Sequence, residues 1–277
     1  MECLTSVLAS DYSEYDVVLV DNGSTDGSIE KIRTQFPAIH YHLNESNLGV
    51  AGGRNSGWQY VREHLDAEYL LFLDNDTVIR PDTMHFLSDC LRTRPDVAIA
   101  SGKAYTAPPS TTIMSAGMKV NLYTGTVTDI GTGEPDTGQY DRPGYVAACG
   151  GFCFMVKHDV FRECDGLDNA YNPYGFEDVD LSLRAMSKGY RSYYDPKAIL
   201  YHKGCKIGRG FVSQYERHKV RNLFRMLYRH TTTLQKLSCA VCIPSRSLIA
   251  ILSLLVRGEL RVIASQFRGA FESTLGK

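Results

Sequence analysis

The chain has 277 residues, 43% hydrophobic and 22% charged, a composition that excludes collagen-like, mucin-like and wholly disordered chains and leaves one large α/β domain with a tail, or two domains. The formal net charge of -1 conceals an asymmetry, because residues 1–202 carry 16 Lys+Arg against 28 Asp+Glu while residues 203–277 carry 14 against 3. A basic tail behind an acidic body points to an anionic partner for the tail, a membrane surface or a phosphate-bearing ligand; no motif supports nucleic acid.

Short apolar runs rich in Val, Leu and Tyr alternate with stretches of helical period, which predicts a Rossmann-like, mostly parallel sheet with helices on both faces. Strands are expected at 16–20, 39–43, 69–73 and 97–101. Between the first two, S-T-D-G-S-I-E-K-I-R-T-Q-F offers N-cap residues and sets Ile29, Ile32 and Phe36 on one helix face. A second helix is expected over 54–64. A third follows R-P-D-T-M-H-F-L-S-D-C-L-R, with Pro81 in its first turn and Met84, Leu87 and Leu91 as its apolar face.

From 104 to 145, Thr, Gly, Pro and Tyr replace the apolar periodicity and predict hairpins and loops that shape a site. G-Y-V-A-A-C-G-G-F-C-F-M-V resumes a buried strand pair. F-E-D-V-D-L-S-L-R-A-M-S-K-G is a helix with Val179, Leu183 and Met186 inward and Gly189 as its stop. The run L-I-A-I-L-S-L-L-V at 248–256 is too short to span a bilayer. With Arg257, Arg261 and Arg268 among Leu260, Val262, Ile263 and Phe267, residues 241–271 suit an amphipathic helix lying in a membrane interface, the alternative being a helix packed on the body or on a second copy. The eight cysteines are scattered without paired C-x-x-C motifs, and no signal peptide precedes them, which points to packed thiols in a reducing compartment.

The chemistry concentrates where strands end. L-F-L-D-N-D-T at 71–77 finishes a buried strand in Asp74 and Asp76, alternating carboxylates that can converge on a hard divalent cation; turn-forming or capping aspartates are the plainer alternative. Glu177, Asp178 and Asp180 open a helix, where the dipole favours negative charge and where one acid can serve as a general base; alternatively Asp180 pairs Arg184 at i,i+4. His202 ends the strand S-Y-Y-D-P-K-A-I-L-Y-H and is a candidate third metal ligand. Asp21 ends another strand, in V-V-L-V-D-N-G-S, and N-L-G-V-A-G-G-R-N-S-G-W supplies glycines for close backbone approach without being a P-loop or a dinucleotide fingerprint.

In this order, V-D-N-G-S-T-D-G-S, N-x-G-x-A-G-G-R-N-x-G, F-L-D-N-D-T, G-G-F-C-F-M-V, G-F-E-D-V-D-L-S-L-R and Y-H-K-G resemble the family 2 glycosyltransferases, particularly their rhamnosyltransferase-like bacterial members, over residues 1–230. The resemblance implies a GT-A fold at 1–230 with a helical basic tail at 231–277. It also implies inverting, metal-dependent transfer from a nucleoside diphosphate sugar, dTDP-rhamnose or a UDP-sugar, to a saccharide or lipid-linked acceptor. By motif, Asp21 contacts the base, Asn47, Gly49, Arg54 and Asn75 help to hold the nucleotide sugar, and Asp74 lies near ribose and metal. Asp76 and His202 complete a Mg2+ or Mn2+ site, and Asp178 is the base with Glu177 as its substitute or as an acceptor-binding group. A cytoplasmic protein, peripheral on the inner face of the cell membrane, is the implied setting.

Members of that family begin with an apolar strand ending in a T-Y-N-like loop, whereas E-C-L-T-S-V-L-A-S-D-Y resembles the end of the helix that follows it; the expectation is that this first strand lies upstream of Met1. Two other functions fit part of the pattern, a sugar nucleotidyltransferase and a non-catalytic binder of nucleotide sugars. The former lacks its glycine-rich basic signature here, and the intact acids argue against the latter.

Overall fold

The computed structural model describes residues 1–204, 209–256 and 260–274, with side chains left out at 209–213, 246–256, 260 and 274. In chain order the elements are α1 (Glu2–Leu8), β1 (Val18–Asp21), α2 (Ser28–Gln35), β2 (His40–Leu43), α3 (Gly49–His64), β3 (Tyr69–Leu73), β4 (Thr77–Ile79), α4 (Thr83–Thr93), β5 (Val97–Tyr105), β6 (Ile113–Ser115), β7 (Met118–Asn121), β8 (Thr126–Asp129), β9 (Gly144–Val146), β10 (Cys153–Lys157), α5 (His158–Glu163), α6 (Glu177–Ser187), β11 (Arg191–His202), α7 (Arg209–His230), α8 (Thr233–Val256) and α9 (Leu260–Thr274). They form two compact units. The first holds Met1–Met118, Asp129–Pro173 and Glu177–Gly204; the second holds Lys119–Thr128, Tyr174–Phe176 and the described part of Cys205–Lys277.

The first unit is α/β with a mixed sheet. β1 and β2 pair in parallel; a second sheet runs β3-β10-β5-β11-β4, with β6 on β5 and β9 on β11. β5 and β11 are parallel, and because β10 lies antiparallel to both β3 and β5, those two also share a direction. Strand alternation splits the core between the sheet's faces. On β10, Cys153 and Met155 join a cluster with Met84, Leu87 and Leu91 of α4, while Phe154 and Val156 join one with Trp58 of α3, Phe161 of α5 and Leu181 of α6. The expected α4 face is fully buried.

Several elements depart from expectation for identifiable reasons. The helix expected over 54–64 begins earlier, at Gly49, so that the glycine-rich segment forms the first turns of α3. Its bare backbone lets the helix lie against β1, where a Cβ on Gly57 would stand 2.5 Å from Val20. Pro81 lies ahead of the α4 N-cap, Asp82. β9 and β10 are not a pair, since β9 adds to β11 instead. α6 buries Val179, Leu181, Leu183 and Ala185 and leaves Met186 48% exposed, because its inner face is centred one residue away from the expected stripe. Gly189 does end that helix, at φ +94°.

A buried ion-pair cluster fastens the loop-rich insertion between β5 and β9. Lys103, 2% exposed, donates to Asp136 at 2.9 Å and to Asp141. The Tyr105 hydroxyl donates to the same Asp136. Burial works against ionisation of Asp136, and the hydrogen bonds from Tyr105 and Lys103 overcome it, holding the carboxyl at about 2.

In the second unit, α7 packs along α9, where Arg217 Nε donates to Glu272 Oε2 at 2.9 Å. Cys239 is buried and donates its thiol to the Leu122 carbonyl at 3.1 Å, as a packed cysteine does. The apolar run 248–256 has a described helical backbone but no described side chains, and Arg257 lies outside the described residues. Among the described residues no helix is long and apolar enough to cross a membrane.

Candidate active site

A reversal of the chain brings the first three candidates together. After β3 the backbone turns at Asp74–Thr77, closed by the Thr77 N–H donating to the Asp74 carbonyl at 3.0 Å. It returns as β4, a strand that the sequence pattern did not reveal. β4 pairs antiparallel with the end of β11 in a register that sets His202 opposite Thr77, and the Lys203 N–H donates to the Asp76 carbonyl at 3.0 Å. Asp74, Asp76 and His202 thereby place one ligand atom each within 4.8 Å of one another, with His202 Nε2 3.0 Å from Asp76 Oδ1. The imidazole stacks on Phe152 at 5.0 Å between ring centroids, and its Nδ1 is 3.2 Å from Met114 Sδ, contacts that aim Nε2 at the carboxylates. Two half-exposed carboxylates and an imidazole suit Mg2+ or Mn2+. Burial, with Asp74 and Asp76 adding to it, pushes the nearby Cys3 thiol up to about 11.

Arg54 joins this cluster to the acids of α6. Its guanidinium, 12% exposed, donates to Asp74 Oδ1 at 2.6 Å and lies 3.5 Å from Glu177 Oε1; it also donates to the Gly151 carbonyl at 2.6 Å. Desolvation disfavours its charge, and Asp74 and then Glu177 outweigh that cost, so Arg54 is held more firmly protonated than a free arginine. Glu177 is buried at 5% exposure, and its Oε2 has no hydrogen-bond partner among the described residues. Asp178 accepts from the Gly151 N–H at 2.6 Å and from the Val179 N–H at 2.8 Å. Burial, reinforced by the charge of Glu177, raises it to about 7. Gly151 thus touches both Arg54 and Asp178, and a Cβ there would stand 3.0 Å from the Asp178 carboxylate.

The other candidates fall in a second group. Asp21 Oδ2 accepts from the Ser24 N–H at 3.0 Å; Asn75 is not brought to this group but is exposed on the turn between Asp74 and Asp76. Asn47 Oδ1 accepts from the Gly49 N–H at 2.9 Å. The hub of this group is Asn22, a residue that sequence reasoning passed over. Its amide donates to Asn47 Oδ1 at 3.1 Å and to the Gly49 carbonyl at 3.0 Å, and its oxygen accepts from the Leu48 N–H at 3.1 Å. Asn172 was missed as well: its Oδ1 accepts from the Ala51 N–H at 3.1 Å at the start of α3. Asp180 belongs to neither group. It is wholly buried and bonded to Arg184 at 2.6 Å and to the Tyr171 hydroxyl at 3.1 Å, the i,i+4 pair that was its structural alternative.

Comparison with known proteins bears on what this arrangement does. Residues 1–164 match the model of a family described as "Glycosyl transferase family 2". The N-acetylglucosaminyl-diphospho-decaprenol L-rhamnosyltransferase of Mycobacterium tuberculosis is 27% identical over 235 residues, 78% of this chain and 75% of that protein. The putative glycosyltransferase EpsE of Bacillus subtilis is 24% identical over 207 residues, 72% of this chain and 66% of that one. Among solved structures, the mannosyltransferase PcManGT of Pyrobaculum calidifontis, in complex with GDP-Man and Mn2+, aligns at a TM-score of 0.60 and 16% identity over 100% of this chain and 83% of that one. GalNAc-T7 with UDP, GalNAc and Mn2+ gives 0.60 and 16% over 82% of this chain and 44% of that one. The fold is GT-A.

Proposed function

The chain belongs to glycosyl transferase family 2 and is a glycosyltransferase, and from that premise we propose that it moves a sugar, with inversion, from dTDP-rhamnose or a UDP-sugar to a saccharide or lipid-linked acceptor in cell-surface polysaccharide synthesis. The observation that carries this proposal is the joining of Asp74, Asp76 and His202 through Arg54 to the Glu177–Asp178 pair. Asp74, Asp76 and His202 would hold Mg2+ or Mn2+, which would supply positive charge for the diphosphate leaving group. Asp178, raised to about 7, is matched to taking a proton from an acceptor hydroxyl near neutral pH. Removal of that proton as the hydroxyl attacks the anomeric carbon opposite the leaving group gives inversion in one displacement. Glu177 accepts a hydrogen bond from the acceptor through its unpartnered oxygen or substitutes as base. Asp21, with Asn47 and Gly49 fixed by Asn22, binds the base and ribose side of the donor together with Asn75.

The mycobacterial relative's name includes a lipid-linked acceptor, which supports that class here. In the second unit, Leu234, Leu237 and Val241 are 64–69% exposed at i, i+3 and i+7 of α8, and Phe267 and Phe271 are 62% and 64% exposed at i and i+4 of α9. With the basic tail around them, they support docking on the inner face of the cell membrane. Titration of UDP and dTDP with and without Mn2+ by calorimetry tests the donor site: metal-dependent micromolar binding that Asp76→Ala abolishes is expected. Binding independent of both metal and Asp76 overturns the metal site. NMR of the anomeric proton of donor and product tests inversion, and co-sedimentation with anionic against neutral vesicles tests membrane docking.

A further inference from the structure

The first turns of α3 are weak helix by composition: Gly49, Gly52 and Gly53 open it, and glycine disfavours a helix through the backbone freedom it loses there. What holds these turns is a segment from far along the chain. Asn172 Oδ1 accepts from the Ala51 N–H at 3.1 Å and from the Gly52 N–H at 3.4 Å, and the Pro173 carbonyl accepts from the Val50 N–H at 2.8 Å. With Asn22 Oδ1 on the Leu48 N–H and Asn47 Oδ1 on the Gly49 N–H, each of the four N–H groups that a helix start leaves without an intrahelical partner is taken. Glycine makes room for this, since a Cβ on Gly49 would stand 2.5 Å from Asn172 Oδ1. One residue past Arg54, Asn55 exchanges two hydrogen bonds with Leu167, Nδ2 donating to its carbonyl at 2.7 Å and Oδ1 accepting from its N–H at 2.9 Å. The same segment is tied to α6, where the buried Tyr171 hydroxyl donates to Asp180 Oδ1 at 3.1 Å. Residues 167–173 therefore bond to α3 on both sides of Arg54 and to α6 two residues beyond Asp178.

We propose that Asn172 is a positioning residue for Arg54, fixing the glycine-rich start of α3 so that the guanidinium meets Asp74 and Glu177 together. The inference rests on the reading of Arg54 as the link between the metal ligands and the acidic pair in sugar transfer. Asn172→Ala removes the acceptor, whereas Asn172→Asp keeps an oxygen on the same N–H groups, where a helix start favours negative charge. In a transferase assay on the full chain with Mn2+, Asn172→Ala is expected to lower kcat about 10- to 100-fold, and Asn172→Asp less than about threefold. Added to Arg54→Met, Asn172→Ala is expected to cost less than about twofold more, because a residue that acts only through Arg54 then has nothing left to position. Amide hydrogen exchange at Ala51 and Gly52 reads the clamp without turnover, and is expected to quicken about tenfold or more in Asn172→Ala but not in Asn172→Asp. Should Asn172→Ala not fold, Asn172→Ser takes its place in the cycle. Equal losses from Asn172→Ala in both backgrounds, an Asn172→Asp as impaired as Asn172→Ala, or unchanged exchange overturns the positioning role and leaves the proposed function standing. Full kcat in Arg54→Met removes Arg54 from the reaction and overturns the inference with it. No transfer from dTDP-rhamnose or a UDP-sugar by the wild type overturns the proposed function itself and, with it, the inference.

Discussion

Removing the Arg54 guanidinium while keeping its stem, as Arg54→Met does, tests whether this residue is the internal counter-ion of the site. The side chain is 12% exposed and serves three acceptors: Asp74 at 2.6 Å, the Gly151 carbonyl at 2.6 Å and Glu177 at 3.5 Å. Without it the Glu177 carboxylate, 7% exposed on its side chain, keeps its charge only in an uncompensated site, and breaking a buried pair from one side costs about 3–5 kcal/mol. At about 2–4 °C per kcal/mol for a chain of this size, the melting temperature falls by about 6–20 °C. Arg54 also favours ionisation of Asp178, so its loss moves that carboxyl further up from about 7. With Asp178 as the proposed base, active only when deprotonated, the rise of kcat with pH should therefore shift to higher pH. Arg54→Lys keeps the charge but loses the planar two-sided geometry and falls between. The assays are thermal unfolding and a kcat–pH profile for wild type, Arg54→Lys and Arg54→Met. An unchanged melting temperature together with an unshifted acid limb in Arg54→Met refutes the counter-ion role.

Asp178→Asn should lower kcat by about 10²–10⁴ and abolish the acid limb near pH 7, whereas Glu177→Gln should keep that limb if Glu177 only binds the acceptor; steady-state pH profiles separate the two. His202→Ala should weaken Mn2+ binding about 10- to 100-fold in a metal titration, and Met114→Ala, which frees the imidazole without removing it, by less. Lys103→Met should cost about 3 kcal/mol or more in chemical denaturation by leaving the buried Asp136 carboxylate without its cation, with only the Tyr105 hydroxyl and the Gly138 N–H as donors. Asp136 is held at about 2, below its unfolded value, so its contribution is fully present above pH ~4 and disappears as the pH falls from there through ~2. Wild-type stability should therefore drop over that acid range, with a shallower drop in Asp136→Asn.

The legible parts of this chain were those in which one local rule decides the outcome. Strand starts at 18, 40, 69 and 97 fall within the short apolar runs expected at 16–20, 39–43, 69–73 and 97–101, and the α4 face at Met84, Leu87 and Leu91 follows from helical period alone. Asp74, Asp76 and His202 were legible as strand-end residues, but not the reason they meet. That reason is β4, a three-residue strand whose register against β11 is fixed by partners more than 120 residues away, and no window of sequence reports such a pairing. The same limit hid Asn22 and Asn172. An asparagine in a turn is ordinary, and its use as a hub depends on which backbone groups the fold leaves needing a partner at that point. Arg54 shows the limit most sharply. Its motif marked it as a nucleotide-holding residue, but the structure encloses it between Asp74 and Glu177, so any bond it makes to a donor has to compete with an existing ion pair. A divalent cation held by Asp74, Asp76 and His202 would act on the same carboxylate as that guanidinium. Under the roles proposed for Asp74 and Asp178, sharing one arginine couples them energetically, so metal affinity and the pKa of Asp178 should change together in Arg54 variants.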